Sequence, residues 1–275
     1  MPELPEVETV VRKLRPRLLG ARLDSLAHLS PLLKLPRRFK SDVVGRTLVA
    51  IERHGKWMFH RLDDGGTLVL HLGMSGRLGV YPADSPPLPH SHLRLAVRLA
   101  DGSAAEFRFS DPRRFGFVGS FAPDAFAAEF GPEKLGPDAL DVSRQGLAEA
   151  LAGSKRSIKS ALMDQRTIAG IGNIYADEIL FTAGIKPGAR AGGLSPGRLD
   201  RLHPAVGDVL GRAIEANGTS VHTFVDVDGE RGEYQEKLFV YGREGKPCRI
   251  CGAVVIGSRT LLAGRMTCWC PKCQR

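Results

Sequence analysis

A chain of 275 residues, 43% hydrophobic and 25% charged, has the make-up of a folded globular protein of two domains with room for a small appendage, which excludes wholesale disorder. Lys and Arg number 39 against 30 Asp and Glu, and the net charge of +9 favours a polyanionic partner: nucleic acid or an anionic membrane surface. No apolar run approaches the roughly 18 residues of a membrane-spanning helix, and no basic segment followed by an apolar core marks a secretory signal, so a cytoplasmic location is expected.

Val7, Val11, Leu14 and Leu18 recur at helical spacing and predict a leading helix from Pro2 to about Leu19. Pro5 suits its first turn, Glu6 and Glu8 its positive dipole end, and Pro16 is expected to end or kink it. From Leu23 to Phe121 the texture becomes short β-prone runs between turns. Thr67 to Leu72 follows the turn at Asp63 to Gly66, and Leu93 to Leu99 turns at Asp101-Gly102 into Glu106 to Phe109. This half reads as an antiparallel β-sandwich. Pro123 to Pro137, rich in Pro, Gly and Ala, reads as a boundary. Helical patterns follow at Leu147–Leu151, Ile158–Met163 and Asn173–Ala183, and Ser195-Pro196 opens another that runs to Asn217-Gly218. Val225 to Tyr234, holding Asp226, Asp228 and Glu230, is expected to be a mobile loop.

All five cysteines lie at or after position 248, a clustering that points to a metal site in a reducing compartment and away from a disulfide framework. Cys248-x2-Cys251 and Cys270-x2-Cys273, eighteen residues apart, have the spacing of two thiolate knuckles closing on one structural Zn2+. Ala253 to Ile256 and Met266 to Trp269 are expected to pair as a hairpin between them, and Cys268 reads as a packed free thiol. Tyr241 to Arg275 carries seven Lys or Arg and one acidic residue, Glu244, the charge of a nucleic-acid-binding hairpin. With four thiolates the metal has no open position for catalysis.

Met1 precedes a small residue, so its removal is expected and would make Pro2 the terminus. A terminal amine has a reference pKa of about 8, well below lysine, and a nearby cation lowers it further. A secondary amine attacking an aldehyde-like carbon yields an iminium that is cationic without a proton, a standing electron sink. Glu3 beside it has the chemistry of an acid or base. Taken alone, this opening reads as an ordinary helix start rather than a nucleophile.

Met1 to Thr9, His71-Leu-Gly-Met-Ser-Gly76, Asp111-Pro-Arg-Arg-Phe-Gly116, Gly170-Ile-Gly-Asn-Ile-Tyr-Ala176, Val240-Tyr-Gly-Arg243 and the four-cysteine end together resemble the formamidopyrimidine-DNA glycosylase family, in the family's order across essentially the whole chain. The resemblance implies an α+β protein: an N-terminal antiparallel β-sandwich domain with its leading helix over residues 1–125, a helical domain with a helix–two-turn–helix and a lesion-capping loop over 126–240, and a zinc β-hairpin over 241–275. By the same resemblance Pro2 is the Schiff-base nucleophile, Glu3 the acid that helps open the sugar, Lys56 a phosphate-contacting proton donor, and Arg265 a phosphate contact near the elimination chemistry. Met74, Arg113 and Phe115 would fill the void left by an extruded nucleotide, with flexible filler, a hydrogen-bonding fork and a stacking face. His90, Lys155, Lys159 and Asn173 would bind DNA phosphates, Asn173 at a helix start where free amides favour an anion. The eighteen residues between the cysteine pairs are two more than the family's usual spacing, and the extra length is expected in the hairpin tip, Gly257 to Gly264.

The implied activity is a bacterial base-excision-repair DNA glycosylase for oxidised purines (8-oxoguanine and formamidopyrimidines) with abasic-site lyase β,δ-elimination on double-stranded DNA. No redox cofactor, magnesium or obligate protein partner is called for, and a monomer associated with the nucleoid is expected. Two rivals remain at this level. The branch resembling endonuclease VIII prefers oxidised pyrimidines, and the Leu4-Pro-Glu-Val run and Arg113 with Phe115 count against it. A non-catalytic DNA-binding protein would use the zinc hairpin and the glycine turn alone.

Overall fold

The computed structural model describes residues 1–33, 38–220, 224–259 and 264–275. The chain forms two units, Met1–Gly131 with Asn217–Glu233, and Pro132–Ala216 with Tyr234–Arg275.

The first unit starts with helix α1 (Leu4–Leu18). Glu3 is its N-cap, and the Glu6 carboxylate accepts the Glu3 backbone N–H at 2.7 Å, satisfying a donor the helix itself cannot use. Pro16 lies inside the helix, which continues to Leu18. Leu14 and Leu18 are fully buried, and packing them into the core outweighs the hydrogen bond that Pro16 cannot donate. The strands make two antiparallel four-stranded sheets. One has the order β1 (Arg22–Leu29), β6 (Ser91–Arg98), β7 (Ala104–Ser110), β5 (Arg77–Pro82). The other has the order β2 (Leu48–His54), β3 (Trp57–Leu62), β4 (Thr67–His71), β8 (Phe117–Phe121). Leu95, Phe107 and Phe109 from one sheet and Met58, Leu68 and Leu70 from the other belong to a single apolar core with Val7, Val11 and Leu14 of α1, which is the sandwich read from the sequence.

A short helix α2 (Phe39–Val43) interrupts the strand series. The division between the two units falls at Gly131/Pro132, inside the segment read as a boundary, and the first part of that segment folds as helix α3 (Pro123–Phe130), with Pro123 in its first turn. Its rings give it a place: Phe126 meets Phe59 edge-on at 4.8 Å and Phe130 meets Trp57 at 5.0 Å. Where composition predicts a mobile loop, Asp226, Asp228 and Glu230 surround the Lys13 ammonium of α1 at 2.5, 2.9 and 3.7 Å.

The second unit is helical. Ser143 and Ser157 cap α4 (Arg144–Leu151) and α5 (Ile158–Met163) by accepting the N–H groups of Gly146 and Ser160. Two turns then lead into α6 (Asn173–Thr182), the helix–two-turn–helix of the sequence reading. Gln165 ties these turns, donating to the Met163 and Ile171 carbonyls and accepting from Gly170 N–H, each at 2.9 Å. Helix α7 (Pro196–Glu215) follows. The chain ends in a hairpin of β9 (Ile256–Ser258) and β10 (Thr267–Trp269), with Cys268 opposite Gly257. The pairing is displaced from the expected Ala253 to Ile256. Cys248 N–H donates to the Ala253 carbonyl and Val255 N–H to that of Lys246, so residues 253–255 close the first cysteine knuckle and are not free to pair with β10. The expected hairpin tip falls partly on residues 260–263, outside the described residues.

Candidate nucleic-acid interface and catalytic terminus

Pro2 and Glu3 are buried at the start of α1, while Met1 is 46% exposed. Beyond its bond to Glu3, Glu6 uses its second oxygen to accept Thr219 N–H at 2.7 Å, so one buried carboxylate fixes the turn next to Pro2 against the returning segment 217–233. Gly218, at φ +80°, would place a Cβ within 2.8 Å of that carboxylate. While Met1 is attached, the Pro2 nitrogen is an amide with no nucleophilicity, and the exposure of Met1 leaves it open to removal.

Lys56 is buried on the two-residue turn between β2 and β3, where His54 pairs with Trp57 and Gly55 adopts φ +57°. His71 on β4 lies against Trp57 with ring centroids 4.7 Å apart. Burial, and then the Lys56 charge, lowers its pKa to about 4, so His71 is a neutral ring at physiological pH. Its Nδ1 accepts Gly73 N–H at 3.0 Å and so aims the turn that carries Met74.

That turn meets the 111–116 loop backbone to backbone. Gly73, at φ +59°, would put a Cβ 2.3 Å from the Phe115 carbonyl carbon, so glycine is required there for both conformation and space. Asp111 is the hub. Its carboxylate accepts the Ser75 hydroxyl at 2.5 Å and Gly116 N–H at 2.7 Å, while Ser75 Oγ accepts Arg113 N–H at 3.1 Å. Met74, Arg113 and Phe115 thereby share one edge of the sandwich. Phe115 is 59% exposed, and the Arg113 guanidinium lies 5.2 Å from its ring centroid. His90, exposed at φ +57°, adjoins this loop through its carbonyl, which accepts Asp111 N–H.

In the second unit Asn173 opens α6 behind Gly172, half-buried, with its Oδ1 unpartnered among the described residues. Lys155 is exposed ahead of α5, and Arg265 is exposed where the hairpin enters β10. Lys159 is different. It has no exposed surface; its ammonium ion-pairs with Asp177 at 2.7 Å and donates to the Met266 carbonyl and to Thr267 Oγ1, each at 3.1 Å. A phosphate would reach this ammonium only if the packing opened, so Lys159 corrects the sequence expectation: it anchors the hairpin. Asp177 completes the anchor by accepting Cys268 N–H at 2.9 Å.

The thiols of Cys248, Cys251, Cys270 and Cys273 lie within 4.8 Å of one another and form a candidate structural metal site. Tetrahedral thiolates bonded to zinc at about 2.3 Å stand about 3.8 Å apart, and the sulfurs of Cys248 and Cys273 are 3.9 Å apart and those of Cys251 and Cys270 3.4 Å. The Ala253 amide and the Cys270 thiol lower Cys251 to about 7, whereas burial pushes Cys270 and Cys273 up. The four cannot all ionise so close together without a cation, and the donor set therefore fits a metal. Cys268 stands outside the cluster, fully buried, with its thiol 3.7 Å from Glu244. Glu178, which the sequence reading did not single out, accepts the N–H groups of Phe239, Val240 and Tyr241 at 2.8 to 2.9 Å and fixes the start of the basic tail.

Pro2 and Glu3 are thus buried at the head of α1, Arg113 and Phe115 are exposed on one loop with the half-buried Met74 on the turn that meets it, and four thiols gather at the hairpin. Residues 1–118 match the model of the formamidopyrimidine-DNA glycosylase N-terminal domain and residues 131–225 that of its H2TH domain. The chain is 41% identical to the formamidopyrimidine-DNA glycosylase of Geobacillus kaustophilus over 284 aligned residues, covering all of both chains. Its fold is similar to that of the Lactococcus lactis Fpg in complex with DNA containing Fapy-dG (TM-score 0.87, 32% identity, 99% of this chain and 100% of that one). It is likewise similar to the same enzyme with DNA containing an abasic site (TM-score 0.86, 32% identity, 99% of each chain). The chain belongs to the formamidopyrimidine-DNA glycosylase family, DNA-repair enzymes with glycosylase and abasic-site lyase activity.

Proposed function

We propose that this chain excises oxidised purines, 8-oxoguanine and formamidopyrimidines, from double-stranded DNA and then cuts the strand at the resulting abasic site. The observation that carries the reading is the buried Pro2-Glu3 pair at the head of α1, in a chain whose fold matches enzymes solved with Fapy-dG and abasic-site DNA. Once Met1 is removed, the Pro2 nitrogen attacks C1′ of the extruded nucleotide. The glycosidic C–N bond breaks and the base leaves with its electron pair and a proton; Glu3 assists opening of the sugar. The iminium at C1′ acidifies C2′, loss of a C2′ proton expels the 3′ phosphate, and a second elimination expels the 5′ phosphate. Lys56 contacts the DNA backbone and donates a proton. Met74, Arg113 and Phe115 enter the gap left in the stack. His90, Lys155, Asn173 and Arg265 hold phosphates.

The thiol cluster holds one Zn2+, whose part is structural: it fixes the hairpin that presents Arg265. The protein acts as a monomer on DNA in a bacterial cytoplasm. Borohydride reduction on abasic-site duplex tests the chemistry. The chain freed of Met1 forms a covalent adduct at its terminus, while Pro2→Gly or a retained Met1 reduces trapping by two orders of magnitude or more (roughly the cost of a lost nucleophile). No adduct would leave a DNA-binding protein, and faster excision of thymine glycol opposite A than of 8-oxoguanine opposite C would reassign the substrate to oxidised pyrimidines.

A further inference from the structure

The mechanism above needs Lys56 held in a fixed place relative to the head of α1, yet Lys56 sits at the tip of a two-residue hairpin turn. One side chain spans that gap. Arg53 is almost buried; its Nε donates to Glu8 Oε2 on α1 at 2.8 Å and its Nη1 donates to the Gly55 carbonyl at 3.2 Å. The Gly55 carbonyl belongs to the peptide unit that leads into Lys56, so the bond fixes the plane from which the Lys56 side chain departs. Glu8 directly follows Val7 on α1, and the Val7 N–H donates to the Glu3 carbonyl. A second tie lies further along the same helix, where Arg15 Nε and Nη2 donate to the Ile51 carbonyl of β2 at 3.1 and 2.9 Å.

We infer that Arg53, braced by Glu8, is a positioning residue for Lys56: its planar fork couples the α1 helix to the Gly55-Lys56 peptide and so sets where the lysine stands relative to the terminal amine. The inference rests on the Pro2 chemistry proposed above. A lysine at position 53 would keep the charge but not the fork, because one ammonium cannot reproduce the planar arrangement that serves the carboxylate and the carbonyl together. Arg12 Nε also donates to Glu8, at 2.8 Å, so loss of Arg53 does not strand the carboxylate.

The test uses the full metal-loaded chain freed of Met1, with three readouts: the rate of borohydride-trapped adduct formation at saturating abasic-site duplex, affinity for duplex carrying a tetrahydrofuran abasic analogue, and melting temperature. Arg53→Met and Arg53→Lys both slow adduct formation by about 10-fold or more, on the scale that small misplacements of a catalytic group produce, while affinity changes less than about 2-fold. Glu8→Gln, which keeps an oxygen to accept from Arg53, slows it less than either. Adduct formation at the wild-type rate in Arg53→Met, full rescue by Arg53→Lys, or a loss of rate that merely follows affinity and melting temperature overturns the inference. Absence of an adduct in the wild-type chain would instead overturn the Pro2 chemistry itself. Should Arg53→Met not fold, Arg53→Lys and Glu8→Gln are read by the same criteria.

Discussion

The sandwich and the cysteine hairpin solve the same problem with opposite means. In the sandwich, apolar side chains from α1, both sheets and the segment after Asn217 form one continuous core, and the chemistry-bearing residues ride on turns at its edge. Around the hairpin, the buried apolar cluster consists of Phe181, Val240, Val255 and three cysteines, Cys248, Cys268 and Cys270. A region with so little apolar surface to bury draws its stability from bonds: a metal among four thiols and one buried ion pair. Stability in the sandwich is spread over many side chains, so no surface turn is indispensable to folding. In the hairpin it is concentrated, so single atoms matter.

The largest effect that separates the two regions is removal of the metal. Chelation, or Cys270→Ser, withdraws on the order of 10 kcal/mol of binding free energy that is also folding free energy for the hairpin. Affinity for DNA and trapping both collapse, while the sandwich melts within a few degrees of its original temperature. The chain has two tryptophans, Trp57 in the sandwich and Trp269 in the hairpin, so fluorescence of Trp269→Phe and Trp57→Phe variants follows each region separately. Equal losses in both regions would break the contrast. A smaller effect is expected at the buried pair. Lys159→Met leaves the Asp177 carboxyl with its burial, which pushes its pKa up, and without the ammonium that pulls it back. The cost is about 3–5 kcal/mol at neutral pH, read as faster metal loss to a chromogenic chelator. Lys159→Met with Asp177→Leu recovers much of it, because stranding one partner costs more than losing both.

What the sequence carried and what it did not divides along the same line. Leu14 and Leu18 announce α1, the Asp63 to Gly66 turn announces the β3–β4 hairpin, and the cysteine spacing announces the knuckles, because each signal is local. Lys159 escaped because α5 has six residues, of which Ile158, Lys159, Ala161 and Leu162 are all buried; so short a helix shows no polar face on which to place it. The roles of Asp111, Glu178 and Arg53 escaped because each depends on partners distant in sequence that spacing alone cannot pair. The Pro123–Phe130 helix was hidden by its composition: Pro and Ala suit a helix start as well as a linker, and the aromatic contacts that decide the matter are tertiary.

The smallest expected effect tests whether the sandwich also hides a concentrated weakness. His60 on β3 is completely buried in its core, with its ring 5.6 Å from that of Phe107, and burial lowers its pKa to about 4. In the unfolded chain the ring titrates near 6.5. Between pH 6.5 and 4 the unfolded state therefore binds more protons than the folded one, and stability falls as pH falls through that window. His71, also lowered to about 4, adds a loss of the same sign. One such group costs about 2 kcal/mol by pH 5, felt in the Trp57 signal but not in that of Trp269. Replacing His60 by Leu removes its share: the His60→Leu sandwich loses less stability than wild type between pH 7 and pH 5, although at pH 7 the two differ little. An unchanged pH slope in His60→Leu would mean that the ring takes up its proton inside the core as readily as in the unfolded chain, and the apolar account of the sandwich would then need a buried counterion.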